Sequence, residues 1–162
     1  MKNLSRRDFL MTAAATAAVI SLPVLQAHGA DDTPPAKAKE AAGPPVDAGL
    51  LGSFDKDGIT NKFAKSNKFF LIRNDGKLFA VTSLCTHRGA QMTAEGDKDL
   101  FCPRHKSYFS LEGTVTGGPA KSSLPRYAIS LNDDKHVMVD KSKQFKEVQW
   151  SDPASFIDLK SA

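Results

Sequence analysis

The sequence predicts an all-β domain, an antiparallel β-sandwich, and three observations carry that prediction. Apolar β-forming runs are short and separated by Gly, Asn and Asp turns. Two of them, Asn67–Arg73 and Lys77–Thr82, flank Asn74-Asp75-Gly76, and Asp-Gly between such runs is a strong hairpin signal. No long helical period interrupts them.

In chain order, residues 1–30 read as a targeting segment. Ser5-Arg6-Arg7-Asp8-Phe9-Leu10 precedes an uncharged, Ala-rich apolar run from Phe9 to Leu25. That run of 17 residues is roughly 26 Å long as a helix, at the short end for a membrane span. Leu25-Gln26-Ala27 and His28-Gly29-Ala30 both fit a cleavage site poorly, so a cleaved signal and a retained anchor both stay open. Residues 31–48, with Pro34-Pro35 and Pro44-Pro45, read as an extended linker.

The domain proper is expected over residues 49–140. Gly49–Phe54 is a candidate first strand and Asp55-Lys56-Asp57-Gly58 a turn. The latter opens like a calcium loop but lacks the later acidic ligands. After the central hairpin, the chain runs through Ser83–Ala90 as a loop. Leu100–Cys102 and Ser107–Leu111 are short strands, and Arg126–Leu131 and Lys135–Asp140 form a last hairpin. In the tail, residues 141–162, Asp152-Pro153 is placed to cap a short helix over Ala154–Leu159. Trp150, Phe156 and Ile157 are expected to pack back on the sheet.

The 162 residues have room for one domain plus extensions. The formal charge is +4, half of it in the first thirty residues. A balance this even and scattered argues against nucleic acid as a partner.

Both cysteines and two of the four histidines fall in one pattern. Cys85-Thr86-His87 is followed, after fourteen intervening residues, by Cys102-Pro103-Arg104-His105. Each half offers one thiolate and one imidazole, enough together for a small metal centre. A Cys2His2 set also suits tetrahedral zinc, although a Cys-x-His half is foreign to a finger. A Cys85–Cys102 disulfide suits an exported protein but leaves the histidines unexplained.

From about Gly49 to Asp140 the pattern, with Gly89 and Pro103, resembles the Rieske iron–sulfur family. The resemblance implies a [2Fe–2S] cluster with two Cys on one iron and two His on the other. Cys85 and Cys102 would hold the inner iron, His87 and His105 the outer. It also implies a base sheet bearing a small cluster-binding subdomain. Ser5–Leu10 resembles a twin-arginine export motif. That route carries folded proteins and suits a cluster assembled before export to the periplasm or the outer membrane face.

Departures from the family pattern are informative. Ala90 and Arg104 stand where quinol-linked members carry a second disulfide-forming Cys in each loop. Phe109 stands where those members carry a Tyr whose hydroxyl bonds a cluster cysteine, while Ser107 is retained and its hydroxyl would donate to a bridging sulfide. Tyr108 should face away, since neighbours on an extended chain alternate. Gly118-Pro119-Ala120, with Leu124-Pro125, resembles the family's proline loop, which covers the cluster. Arg88, Arg104 and Lys106 would favour the reduced, more negative cluster and offer a surface to an acidic partner.

The resemblance implies one-electron transfer rather than catalysis by this chain alone. Three roles fit. One is a subunit of an exported or membrane-attached oxidoreductase, built like the arsenite-oxidase small subunit. The second is the Rieske subunit of a cytochrome bc-type complex, and the third a freestanding periplasmic ferredoxin. Implied partners are cytochrome c, a molybdenum-enzyme catalytic subunit or cytochrome b, and quinol in the second role. A membrane contact would run through the N-terminal segment. A Rieske oxygenase needs a separate mononuclear iron site of two His and a carboxylate. Only His28 and His136 remain, and both read as bystanders.

Overall fold

The computed structural model describes residues 43–96 and 98–160. The expectations for residues 1–30 and for most of the linker lie outside them. The described chain forms eleven strands in two antiparallel sheets. They are β1 (Val46–Leu50), β2 (Gly58–Thr60), β3 (Phe69–Asn74), β4 (Lys77–Thr82), β5 (Thr93–Glu95), β6 (Asp99–Cys102), β7 (Ser107–Ser110), β8 (Val115–Gly117), β9 (Arg126–Leu131), β10 (His136–Phe145) and β11 (Ile157–Asp158). The larger sheet runs β1-β10-β9-β4-β3-β2, with β11 also on β4. The smaller runs β5-β6-β7-β8. Among the described residues no helix is long and apolar enough to cross a membrane.

The central hairpin follows the sequence closely. Asp75 and Gly76 take φ of 49° and 72°, the double positive φ of a two-residue type I′ turn, and Asn74 pairs with Lys77 across it. The runs Phe69–Ile72 and Leu78–Val81 are apolar without alternation because both faces of β3 and β4 are covered. Phe69, Leu71, Leu78 and Ala80 point into one core with Tyr127, Ile129, Val137 and Val139. Phe70, Ile72, Phe79 and Val81 point into a second with Leu100, Phe109, Leu124, Cys85 and Cys102. That second core fastens the small sheet to the large one.

Several expectations are corrected. The first strand begins at Val46 and ends at Leu50, and Leu51–Ser53 is a single 3-10 turn. Lys135–Asp140 extends to Phe145, past a bulge between Asp140 and Gln144. No helix spans 154–159. Asp152 caps a 3-10 turn over Pro153–Ser155 by accepting from the Ala154 N–H at 2.9 Å. The chain then becomes β11, where Ile157 pairs with Leu78.

The tail packs on the sheet as expected. Ile157 is buried in the first core and Phe156 packs against the second. The Arg126 guanidinium lies over the Trp150 ring at 4.2 Å and over the Phe79 ring at 3.9 Å. Burial there lowers the Arg126 pKa to about 10, against a smaller opposing pull from Glu112.

Candidate metal centre

Two loops, one after β4 and one between β6 and β7, are built alike. In the first, Gly89 donates its N–H to the Cys85 carbonyl at 2.7 Å. In the second, Lys106 donates to the Cys102 carbonyl at 2.9 Å. Each closing residue lies four after its cysteine and has a left-handed backbone, φ 70° at Gly89 and 57° at Lys106. The first loop is further closed by Cys85 N–H to Ala90 O at 2.8 Å and Met92 N–H to Ser83 O at 2.8 Å. The second is delivered by β6 and received by β7, with Cys102 paired to Ser107.

The loops bring Cys85 beside Cys102 and His87 beside His105. Both cysteines are free and each is 1% exposed. The Cys85 thiol feels adjacent Cys102, the His87 backbone and the Ser107 side chain. Burial pushes the Cys85 thiol up, and adjacent Cys102 pushes the same way. The His87 N–H and the Ser107 hydroxyl pull it back by stabilising the thiolate. The imidazoles of His87 and His105 meet edge to face, ring centroids 4.8 Å apart, and both are half-buried. Burial, and then the nearness of His105 and Arg88, lowers the His87 pKa and favours neutral imidazole.

The donor set suits a two-iron cluster. His87 Nδ1 is buried without a hydrogen-bond partner, and a buried polar atom of that kind calls for a partner. Among the described residues, no three His, Cys, Asp or Glu side chains gather for a single metal ion. The donors come instead as a thiol pair and an imidazole pair, which is how a Rieske cluster is held.

The segment after β8 covers this arrangement. Ala120 donates its N–H to Ser107 Oγ at 3.2 Å, and Thr86 Oγ1 donates to the Ser122 carbonyl at 2.7 Å. Gly118, at φ +84°, lies so close to the second loop that a Cβ would meet the Lys106 carbonyl oxygen and sit 2.6 Å from Ser107 Cα. Pro119 follows it, between that contact and Ala120. Phe109 is fully buried, whereas Tyr108 is 41% exposed and faces away as expected. Pro103, Arg88, Arg104 and Lys106 are exposed on the loops, and Ala90 is half-buried. Sequence reasoning missed Lys121, which is exposed on the covering segment. Only the fold ties its neighbours Ala120 and Ser122 to the two loops.

His136 is remote from this site. Its Nδ1 meets Asp47 Oδ2 at 2.9 Å, linking β10 to β1. Asp57 of the calcium-like turn pairs instead with Arg73 Nε at 3.3 Å.

A family model described as the Rieske [2Fe–2S] domain matches residues 48–128, half of the chain. The cytochrome b6-f complex iron–sulfur subunit of Chlorobaculum thiosulfatiphilum is 29% identical over 73 residues, covering 44% of this chain and 40% of that protein. The cytochrome b6-f complex iron–sulfur subunit 1 of Synechocystis sp. is 28% identical over 146 residues, covering 81% of this chain and 82% of that one. The crystal structure of a cyanobacterial plasma membrane Rieske protein from Synechocystis PCC 6803 shares 27% identity, with a TM-score of 0.46 over 58% of this chain and 97% of that one. The chain thus spans less than half the length of the first of these relatives and most of the length of the second.

Proposed function

The chain belongs to the Rieske [2Fe–2S] domain family, and from that premise we propose that it is a one-electron carrier within an exported, membrane-attached oxidoreductase assembly. The [2Fe–2S] cluster is the cofactor of this family, and it supplies a one-electron couple. We assign Cys85 and Cys102 to one iron and His87 and His105 to the other. The observation that carries this is the pairing of buried thiols and facing imidazoles with the orphaned His87 Nδ1.

The chain's own residues then have distinct tasks. The Cys85–Gly89 and Cys102–Lys106 turns fix the direction of each donor. Ser107, locked by the Ala120 N–H, directs its hydroxyl hydrogen at the sulfur side and favours the more negative state. Gly118, Pro119 and Ala120 exclude water from that side. The half-buried imidazole edges are the route by which the electron enters and leaves.

Membership of a membrane-bound assembly is supported by the cytochrome b6-f relatives, with a redox protein as the partner. Export by the twin-arginine route to the outer face of the membrane is supported by Ser5–Leu10. Quinol oxidation is the weaker reading, because exposed Arg88 presents a charge at the tip and Ala90 and Arg104 preclude a bridging disulfide.

Ligand substitution tests the assignment. Cys102→Ser and His105→Cys should abolish or transform the EPR signal, and His136→Gln should leave it intact. An unchanged signal in the first two variants would refute it.

A further inference from the structure

Lys106 occupies a backbone conformation that glycine serves in the partner loop. At φ 57° it makes the same closing bond that Gly89 makes at φ 70°. A side chain in the left-handed region is strained, and strain retained beside a site is a reason to ask what that side chain does. Its ammonium is exposed, and no carboxylate among the described residues lies within ion-pairing distance of it.

The same holds for Arg88 and Arg104 on the loops and for Lys121 on the covering segment. Contacts tie these segments together, through Thr86 to Ser122, Ala120 to Ser107, and Gly118 to Lys106. No Asp or Glu occurs in residues 83–94, 101–111 or 117–125. The carboxylates lie at the borders of these stretches: Glu95 and Glu112 follow two of them, Asp99 pairs with Ser110, and Glu147 accepts from Ser123 at 2.7 Å. The chain as a whole carries 22 Lys and Arg against 18 Asp and Glu. Against that near balance, four cations without an acid on three adjoining segments are a segregated patch.

We propose that Arg88, Arg104, Lys106 and Lys121 form the docking rim for an acidic one-electron protein, with Lys106 a principal specificity residue. The proposal rests on the Rieske reading above, which makes the imidazole edges the electron port. Rim charges of this kind raise the encounter rate and select the partner by sign, and salt screens them. A lipid surface is the less favoured occupant, because a basic patch without apolar side chains to insert holds an anionic leaflet only weakly. Of the exposed large apolar residues among those described, Leu50, Tyr108 and Val148, Tyr108 alone falls in these stretches, on the strand that leaves the second loop and facing away from the site.

The test uses the full-length holoprotein, oxidised, titrated with an oxidised c-type cytochrome of net negative charge and with one of net positive charge. Wild type should bind the acidic cytochrome, and binding should weaken steeply between about 20 and about 200 mM ionic strength. Lys106→Gln and Lys106→Gly should each weaken it by about threefold. Lys106→Gly alone of these two should raise the denaturation midpoint, since it also removes the strain. Lys135→Gly relieves a similar φ of 61° away from the site, so it should raise the midpoint and leave binding unchanged. Salt-independent binding, wild-type affinity in Lys106→Gln, or stronger binding to phosphatidylglycerol vesicles than to the acidic cytochrome would overturn the proposal. EPR of the same samples separates the two readings. A full Rieske signal without salt-sensitive binding defeats the docking rim alone, and a missing wild-type signal defeats both.

Discussion

The Ala120 N–H is bonded to Ser107 Oγ at 3.2 Å, so the covering segment and the second cysteine loop are held by one hydroxyl. The oxygen accepts from Ala120, which leaves its own hydrogen to donate elsewhere, and Ser107 pulls the Cys85 pKa down as a donor to the sulfur does. Ser107→Ala should therefore retain the cluster and lower its reduction potential, because a donor that stabilises the more negative state is lost. A difference of about 1 kcal/mol for such a bond corresponds to about 40 mV for one electron. Redox titration of the variant checks the sign, and an unchanged potential would show that the hydroxyl does not act on the centre.

Gly118 and Gly117 make a matched pair. At Gly118 both the positive φ and the collision with the Lys106 carbonyl forbid a side chain, whereas a Cβ at Gly117 would meet only Tyr108 Cδ2, at 3.7 Å. Gly118→Ala should cost about 2 kcal/mol or more and disturb the EPR line shape. Gly117→Ala should cost under about 1 kcal/mol and leave the line shape alone. Urea denaturation and EPR together separate them.

Trp150 fastens the tail by covering a buried guanidinium that Phe79 also contacts. Trp150→Ala should destabilise the fold by about 2 kcal/mol and leave the reduction potential near its wild-type value. If stability were unchanged and only partner binding fell, the tail would be a docking element and not a packed one.

Acid should weaken the β1–β10 seam. The Gly49 N–H, at 2.8 Å, and then the His136 side chain hold the Asp47 carboxyl below its ordinary value. A carboxylate depressed in this way contributes stability that is complete above the ordinary carboxylate range. The contribution is lost as the pH falls through the depressed value. Wild type should lose more stability than Asp47→Asn between about pH 5 and about pH 2. Parallel losses in the two proteins would remove Asp47 from the account.

What the sequence made legible was local chemistry. Asp75-Gly76 announced its turn because both residues tolerate positive φ, and Arg126–Leu131 was bounded by Pro125 and Asn132. The Cys and His spacing gave the donor set because each half is a single tight turn. Strands β2, β5 and β8, three residues each, are too short to alternate visibly. β11 exists only because Ile157 finds Leu78. Lys121 was invisible for the same reason, since its position depends on where Gly118 lets the chain fold. The left-handed backbone of Lys106 could not be read either, because no glycine marks it.

The most direct measurement is an EPR-monitored redox titration of the holoprotein beside its metal content. The account expects two irons and two sulfides per chain and a Rieske-type signal on reduction. Its potential should lie inside the family range of roughly −150 to +300 mV and short of the top. Bound zinc with no such signal would contradict the account at its centre.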